Sequence, residues 1–495
     1  MDALPRTSAS NGGDGKPHVL VVPYPAQGHM LPLLDLAALL EARGLTITVA
    51  LTAGNVRHLT ASCPSVGTVV LPFPSSPLLP AGCGENTKHL HPDHFRPFMA
   101  SLAALSAPLL SWCKAQPRHS SVTAIISDMF TGWTVPIAEE LGVPHVAFSP
   151  SSVHYLATSH SLWRRMPTRR RPDDDDDEAV TFPDVPGSPS FPWRHLSWLF
   201  RTHVAGGGDE VSEMIRQIFL WNLESSFFVA NSFSALEPAL LDRDRPLPDL
   251  MRKRVLAVGM LSEAVRGRHD INIDSAEKPA LSSVVAAWLD AFDDGSVLYV
   301  CFGSQHVMSP AQVACLADAL ARSSAGFVWV VTSGTVLPEG FESATASRGM
   351  LIREWAPQAE ILRHRAVGWF LTHCGWNSTL EAAAAGVAML TWPMAADQFT
   401  NAWQFAKAGV AVPVAEGGDT VPDSVQMANI IAAKVVDKDG GPMRQRALEL
   451  SRKLADAVAK GGTSHRDLNE FVRMLTAARE FYPTQCLPVP VRASM

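Results

Sequence analysis

The sequence predicts an α/β protein made of two doubly wound domains. The chain has 495 residues, more than one domain usually holds, and 47% of them are hydrophobic, which suffices for two large cores. In both halves, short apolar runs end in small polar turns and lead into stretches with helical spacing. A polar stretch, residues 262–278, separates the halves and predicts a linker.

Composition argues against several other classes. The 41 basic and 48 acidic residues give a net charge of −7 without a basic patch, so we expect no nucleic-acid partner. The seven cysteines are widely spaced and form no CxxC pair, which favours free thiols. Residues 1–16 are polar, and no run of 18 apolar residues occurs. We expect a disordered N-terminus over 1–16, no stable membrane insertion and a cytoplasmic location.

The N-terminal half begins with a β-α-β unit. Residues 18–22 predict a strand, residues 30–43 a helix closed by Gly44, and residues 45–51 a second strand. His29 therefore lies where the first strand ends and its helix begins, the edge at which open α/β sheets bind ligands. From its position alone, His29 is either a polar residue at a helix start or a catalytic group.

Asp128 follows a second apolar run, residues 123–126, and precedes a helix expected to end at residue 141. This spacing is also typical of an N-cap or turn aspartate. A carboxylate behind an imidazole would stabilise the protonated ring. Further strands are expected at 143–148, 227–230 and 255–261, with a helix at 213–221 and a turn at 231–238.

Two stretches of the N-terminal half have unusual composition. Residues 173–178 are consecutive acids, which predict a solvated loop because neighbouring carboxylates do not converge on one cation without a defined turn. Residues 191–200 are rich in aromatic side chains, either core or the wall of a ligand pocket.

The C-terminal half repeats the pattern. A helix at 282–292 and a strand at 296–302 lead to Gly303 and Ser304, where a glycine allows a phosphate to approach the backbone. Ser304 is either a phosphate contact or an ordinary turn serine. Strands are also expected at 327–332 and 350–353, a loop at 338–342, and helices at 448–458 and 464–477.

The stretch 355–398 contains the densest group of candidate site residues. A strand at 367–372 breaks into a turn and opens a helix at 378–385, closed by Gly386. Unpaired N–H groups at such a helix start bind phosphate without a metal. Asp397 and Gln398 follow the next apolar run and suit the hydroxyls of a sugar. Structural alternatives exist: Ser378 and Glu381 fit a capping box, Pro357 fits the first position of a helix, and Trp376 fits a core.

This stretch resembles the signature box of plant family-1 UDP-sugar glycosyltransferases, with WAPQ at 355–358, THCGWNS at 372–378, Glu381 and the final Asp397 and Gln398. The resemblance covers roughly residues 17–480 and implies the GT-B fold, two Rossmann-like β/α/β domains facing across a cleft. We therefore expect an acceptor domain at 17–261, a linker at 262–278 and a UDP-sugar domain at 279–463. A helix at 464–482 should pack back on the first domain, before a tail at 483–495.

The resemblance also implies residue roles. PAQGH, residues 25–29, resembles the loop that carries the catalytic base, so His29 would deprotonate the acceptor and Asp128 would orient it. Ser149 or Ser151 is expected near the donor sugar. UDP would contact Ser304, Trp355, Ala356, Gln358, His373, Gly375, Asn377, Ser378 and Glu381, and the sugar would contact Trp376, Asp397 and Gln398. Trp355 would stack on uracil, Glu381 would hold the ribose, and no metal would be required.

The expected reaction is inverting transfer of glucose from UDP-glucose to a hydroxyl of a small hydrophobic plant metabolite by a monomeric enzyme. Gln398 favours glucose, and the aromatic stretch favours a flavonoid or other phenolic; UDP-rhamnose, UDP-galactose, or a terpenoid or hormone acceptor are the alternatives. A nicotinamide oxidoreductase would need GxGxxG after a strand, which neither turn provides. An epimerase would not need the final Asp-Gln pair, and a non-catalytic relative would be expected to lack His29 or Asp128.

Overall fold

The computed structural model describes residues 16–62, 66–80, 82–169, 176–261, 283–303, 306–332, 334–353, 356–436 and 440–481. The predicted linker and tail, the first 15 residues and half of the acidic run, residues 173–175, lie outside this part of the chain. So do two predicted UDP contacts, Ser304 and Trp355.

The N-terminal described residues form a seven-stranded parallel sheet in the order β3-β2-β1-β4-β5-β8-β9. Four of its central strands are buried along their whole length, because helices cover both faces and leave neither side of these strands open to solvent. A short antiparallel pair, β6 and β7, lies apart from it. The bounds are β1 His18–Val22, β2 Thr46–Thr52, β3 Gly67–Leu71, β4 Ala124–Asp128, β5 His145–Ser149, β6 Ala179–Thr181, β7 Ser190–Pro192, β8 Phe227–Ala230 and β9 Val255–Ala257.

The C-terminal described residues form a six-stranded parallel sheet in the order β12-β11-β10-β13-β14-β15. Its strands are β10 Val297–Cys301, β11 Gly326–Val330, β12 Gly349–Ile352, β13 Val367–Thr372, β14 Ala388–Thr391 and β15 Ala411–Pro413. Strand order reverses beside β1 in one sheet and beside β10 in the other. Open α/β sheets bind ligands outside the carboxyl ends of strands at such switch points. The two sheets therefore confirm the GT-B architecture and mark where its site should lie.

Helices connect these strands and cover the sheets. In chain order they are Gln27–Glu41, Val56–Ser62, Phe95–Ser101, Ser106–Ala115, Val135–Leu141, Val153–Arg165, Trp198–Ala205, Glu210–Asn222, Ser283–Asp290, Pro310–Ser323, Phe341–Thr345, Gln358–Arg363, Trp376–Ala385, Gln398–Lys407, Ser424–Ile431, Gly441–Val458 and Thr463–Phe481.

The last helix, Thr463–Phe481, packs on the N-terminal sheet although it follows the C-terminal domain in sequence. Phe471 is fully buried and meets Phe227 of β8 edge to face, with ring centroids 5.7 Å apart. Glu470 forms an ion pair with Arg254, and Asp467 accepts a hydrogen bond from the Ala257 N–H at 3.0 Å. This helix therefore ties the two halves together.

Several local predictions were wrong. The helix expected from residue 378 begins at Trp376, with Gly375 at its N-cap, so Ser378 is its third residue and the capping-box interpretation of Glu381 fails. Pro357 precedes its helix instead of starting it. The strand expected at 255–261 ends at residue 257, and the loop expected at 338–342 contains the start of a short helix at Phe341.

One helical segment of the described chain, Pro92–Ala115, is long and apolar enough to cross a membrane by length and composition alone. A buried core segment meets the same criterion. Phe98, Leu102 and Leu109 of this segment are buried in the N-terminal core. These three side chains pack within the N-terminal domain.

Candidate active site

His29 and Asp128 meet at the switch point of the N-terminal sheet. His29 lies in the first turn of the helix that follows β1, and Asp128 is the last residue of β4, which pairs with β1. His29 Nδ1 lies 3.0 Å from each carboxylate oxygen of Asp128. Asp128 is fully buried, and its Oδ1 also accepts the Phe130 N–H at 2.8 Å. The carboxylate is thus held on one side by the backbone and faces the imidazole on the other.

This contact sets the chemistry of the imidazole. A carboxylate against Nδ1 favours the tautomer with the proton on Nδ1, which leaves Nε2 as the basic atom. Burial alone would lower the pKa of His29, but the charge and hydrogen bond of Asp128, with a smaller effect of Asp397, raise that pKa above its ordinary value. Aromatic rings surround the base: Phe130 lies 4.5 Å from it and Tyr24 5.4 Å, centroid to centroid. His29 is therefore a stronger base than a free imidazole, in a largely apolar setting.

A helix start faces the switch point of the C-terminal sheet. The helix Trp376–Ala385 follows β13, and its Gly375 N-cap supplies no side-chain cap. The first intrahelical bond joins the Thr379 N–H to the Gly375 carbonyl. The N–H groups of Trp376, Asn377 and Ser378 therefore have no partner within the helix and are available to an anion, together with the positive end of the helix dipole.

Two glycines confine His373 beside this helix start. A Cβ atom on Gly375 would lie 2.5 Å from His373 Nε2, and one on Gly303, whose φ is +74°, would lie 2.8 Å from His373 Cε1. Burial and the neighbouring His306 lower the pKa of His373 to about 4. The ring is neutral near pH 7, so it would help an anion through a hydrogen bond and not through a full positive charge.

Three predicted UDP contacts form one hydrogen-bonded group between the preceding helix, Gln358–Arg363, and the helix Trp376–Ala385. Gln358 Nε2 donates to Glu381 Oε2 at 2.9 Å and to Ser378 Oγ at 3.1 Å. Buried Tyr299 on β10 donates its hydroxyl to Gln358 Oε1 at 3.4 Å. Ala356, 9% exposed, precedes the helix Gln358–Arg363. The structure thus brings Gln358, Ser378 and Glu381 together, as a binding site for one ligand requires.

The predicted sugar contacts differ in their surroundings. Asp397 Oδ2 accepts hydrogen bonds from Ser151 Oγ at 2.6 Å, across the domain boundary, and from Asn401 Nδ2 at 2.9 Å. Gln398 Oε1 accepts the backbone N–H groups of Met394 and Ala395, which orients its amide. Burial raises the pKa of Asp397, although these hydrogen bonds partly oppose that shift.

Trp376 is placed otherwise. Its side chain is 4% exposed, and its indole N–H donates to the carbonyl of Asn231 in the other domain at 2.7 Å. The Trp376 side chain therefore lies in the core, as the structural alternative proposed. The backbone N–H of Trp376 is the group that remains available to a ligand. Asn377 also crosses the boundary, donating to the Gly28 carbonyl at 3.2 Å. These contacts bring the base and the anion-binding helix to one cleft.

Sequence reasoning missed several residues of this cleft. Phe130 and Tyr24 flank the base, and Asn401 holds Asp397. Phe130 lies two residues after Asp128, so the strand end that pointed to Asp128 could also have pointed to Phe130. Asn401 follows Asp397 by one helical turn. No helix was predicted from the sequence at 398–407, so this spacing did not indicate a contact. Phe191 and Phe200 of the aromatic stretch are 5% and 0% exposed in the N-terminal core.

The described residues contain no group of three or more His, Cys, Asp or Glu side chains suited to a metal ion. The cleft combines a carboxylate-backed base with an anion-binding helix start and a half-buried carboxylate, Asp397, between two doubly wound domains. These features define a GT-B group-transfer enzyme for a phosphorylated donor.

Comparisons with known proteins give the same class. Residues 265–438 match the family model for UDP-glucuronosyl and UDP-glucosyl transferases, and residues 16–172 match the glycosyltransferase N-terminal domain. UDP-glycosyltransferase 89B2 of Stevia rebaudiana is 41% identical over 475 residues, which cover 93% of this chain and 98% of that protein. Flavonol 3-O-glucosyltransferase UGT89B1 of Arabidopsis thaliana is 40% identical over 485 residues, covering 94% and 98%.

Solved structures agree. Arabidopsis thaliana UGT89C1 in complex with UDP-L-rhamnose superposes with a TM-score of 0.72 at 32% identity, over 93% of this chain and 99% of that one. The same protein with quercetin gives a TM-score of 0.71 at 32% identity, covering 93% and 100%. The chain belongs to the plant family-1 UDP-glycosyltransferases. It is a hexosyltransferase of plant secondary metabolism that transfers a glycosyl group to small metabolites.

Proposed function

We propose that this enzyme transfers glucose from UDP-glucose to a hydroxyl of a flavonoid or related phenolic, with inversion, to give a β-O-glycoside. The observation that carries the mechanism is the His29–Asp128 contact, with Nδ1 3.0 Å from both carboxylate oxygens. His29 Nε2 takes the proton of the acceptor hydroxyl. The acceptor oxygen attacks the anomeric carbon, and the bond from that carbon to the UDP oxygen breaks with its electron pair.

The leaving diphosphate is stabilised by the start of the helix Trp376–Ala385. Its free N–H groups act with neutral His373, and Ser304 adds a further contact to the diphosphate. The mechanism uses no metal, because these groups meet the charge that develops on UDP. Glu381 holds the ribose, while Trp355, Ala356 and Gln358 hold the uracil.

The donor sugar is recognised by Asp397 and Gln398. The backbone N–H groups of Met394 and Ala395 orient the Gln398 amide with its oxygen inward, so its Nε2 is the end offered to a sugar hydroxyl. Glucose is proposed because a glutamine at this position, as opposed to a histidine, resembles a glucose donor site. UDP-rhamnose is the second candidate because a relative of 32% identity was solved with UDP-L-rhamnose.

A phenolic acceptor is proposed mainly from the similar proteins. Phe130 and Tyr24 lie within 5.4 Å of His29, centroid to centroid, and are 7% and 0% exposed, so they make the surroundings of the base apolar from within the core. Phe191 and Phe200 of the aromatic stretch at 191–200 are likewise core residues. The flavonol named for UGT89B1 and the quercetin bound to UGT89C1 point to the same class of acceptor. The proposal includes a monomer that works in the cytoplasm without membrane insertion.

The test is UDP release from purified enzyme, without added metal, using UDP-glucose, UDP-rhamnose or UDP-galactose with flavonols, hydroxybenzoates and terpenols. We expect turnover with UDP-glucose and a flavonol, a β-glucoside by mass and NMR, and a loss of at least about 10²-fold in His29→Ala. Turnover with UDP-rhamnose alone would overturn the donor assignment but not the mechanism. Equal turnover by His29→Ala would remove the proposed base.

A further inference from the structure

Asn401 connects the sugar side of the cleft to the diphosphate side. It is fully buried on the helix Gln398–Lys407, one turn after Asp397. Its Nδ2 donates to Asp397 Oδ2 at 2.9 Å and to the carbonyl of Cys374 at 3.0 Å. Cys374 belongs to the turn that leads from β13 into the anion-binding helix. One amide group therefore joins the carboxylate to that turn.

Both ends of this connection have strained backbones. Cys374 has a φ of +66° and Ala396, directly before Asp397, has a φ of +55°. Residues other than glycine pay about 1–2 kcal/mol in this left-handed region and stay there only when their surroundings hold them. The Cys374 N–H donates a hydrogen bond to Thr372 Oγ1 at 3.1 Å, and the Cys374 carbonyl accepts one from Asn401 Nδ2. Asn401 thus supports the strained turn at Cys374 directly. It also holds the side chain of Asp397, which follows the strained residue Ala396.

The direction of the hydrogen bonds also matters. Ser151 and Asn401 both donate to the same oxygen of Asp397, Oδ2. The other oxygen, Oδ1, is thereby left as the acceptor for a ligand hydroxyl. Two donors on one oxygen also fix the rotation of the carboxylate, since either alone would leave it more freedom.

We propose that Asn401 is a positioning residue for donor-sugar recognition, which sets the place of the Asp397 carboxylate relative to the diphosphate turn without touching the sugar. This inference rests on the proposed UDP-sugar function. Its consequence is that Asn401 contributes to the affinity for the sugar part of the donor and acts through Asp397.

The test is a double-mutant cycle measured by calorimetry with UDP and with the UDP-sugar that wild-type enzyme turns over. The quantity compared is the ratio of the Kd for UDP to the Kd for the UDP-sugar, which isolates the sugar contribution. We expect Asn401→Ala and Asp397→Ala each to lower this ratio roughly tenfold, the scale of one hydrogen bond to a charged group. The double variant should match Asp397→Ala alone, because the two residues act as one unit.

Additive effects in the double variant would overturn the proposal, and so would equal losses of UDP and UDP-sugar affinity in Asn401→Ala. Gln312→Ala is the matched control: this amide is 1% exposed in the same domain and donates to the carbonyls of Gly418 and Thr420 at 2.7 and 2.9 Å. It should leave the ratio unchanged.

If Asn401→Ala fails to fold, Asn401→Ser takes its place, and the same ratio of Kd values is measured. Absence of UDP-sugar turnover in the wild type would defeat the proposed function itself. A wild-type sugar contribution that persists in the Asn401 variant would defeat only this inference.

Discussion

At the residue scale, the His29–Asp128 pair predicts how activity depends on pH. The base must be neutral to accept a proton, and the pKa of His29 is raised by Asp128 against the opposing effect of burial. Activity should therefore be full above this raised pKa and fall as the pH drops through it. In Asp128→Asn the carboxylate charge is lost and burial remains, so the acid limb of kcat/KM should move to lower pH. The plateau should also fall, by roughly 10²–10⁴-fold, because a weaker base in a less certain tautomer accepts the proton.

The measurement is a profile of kcat/KM from pH 5 to 9 for the wild type and Asp128→Asn. The asparagine is isosteric, and its Oδ1 can still accept the Phe130 N–H that holds the carboxylate in the wild type at 2.8 Å. An acid limb at the same pH in both proteins would show that another group titrates. A shift of the acid limb to higher pH would contradict a stabilising role of the Asp128 charge.

At the element scale, the glycine before the anion-binding helix predicts a loss of UDP affinity on substitution. A methyl group at Gly375 would approach His373 Nε2 to 2.5 Å, so Gly375→Ala should push the imidazole away from the helix start. We expect UDP to bind at least about tenfold more weakly, since one hydrogen bond to a charged group is lost. Calorimetric titration with UDP measures this.

Gly441→Ala is the matched control for that substitution. Gly441 also lies at a helix start in the C-terminal domain, has an ordinary φ, and has no atom within 4 Å of its would-be Cβ. UDP affinity should stay within about twofold there. Equal losses of UDP affinity in both variants would show that any substitution at a helix-start glycine weakens UDP binding. The position of His373 would then not be the cause.

The elements also show what sequence patterns can and cannot predict. Strand β13 was predicted with its observed bounds, because an apolar run flanked by polar turns has one consistent interpretation. The helix after it was placed two residues late, since its Gly375 N-cap carries no side-chain signal. The His29–Asp128 contact was expected from strand ends together with the family resemblance, since position alone left both residues open. The Asn401 contact and the buried side of Trp376 depend on tertiary packing that local spacing does not encode.

At the scale of the whole molecule, the final helix should couple the stability of the N-terminal sheet to residues that follow the C-terminal domain. Phe471 is fully buried against Phe227 in that sheet. Removing a buried phenylalanine typically costs about 3–5 kcal/mol. In Phe471→Ala, we expect faster amide hydrogen exchange in β8 and β9 and unchanged protection in β13 of the other sheet. Mass spectrometry measures this exchange.

The same substitution separates donor binding from catalysis, because the proposed UDP contacts lie in the C-terminal domain and the base lies in the N-terminal one. A looser final helix should leave the Kd for UDP unchanged while kcat/KM falls, since His29 and the anomeric carbon would be held less firmly in place. Arg473→Ala, on the exposed side of the same helix, should change neither quantity. Unchanged exchange and kcat/KM in Phe471→Ala would mean that other contacts across the cleft, such as Ser151 with Asp397, hold the domains without this helix.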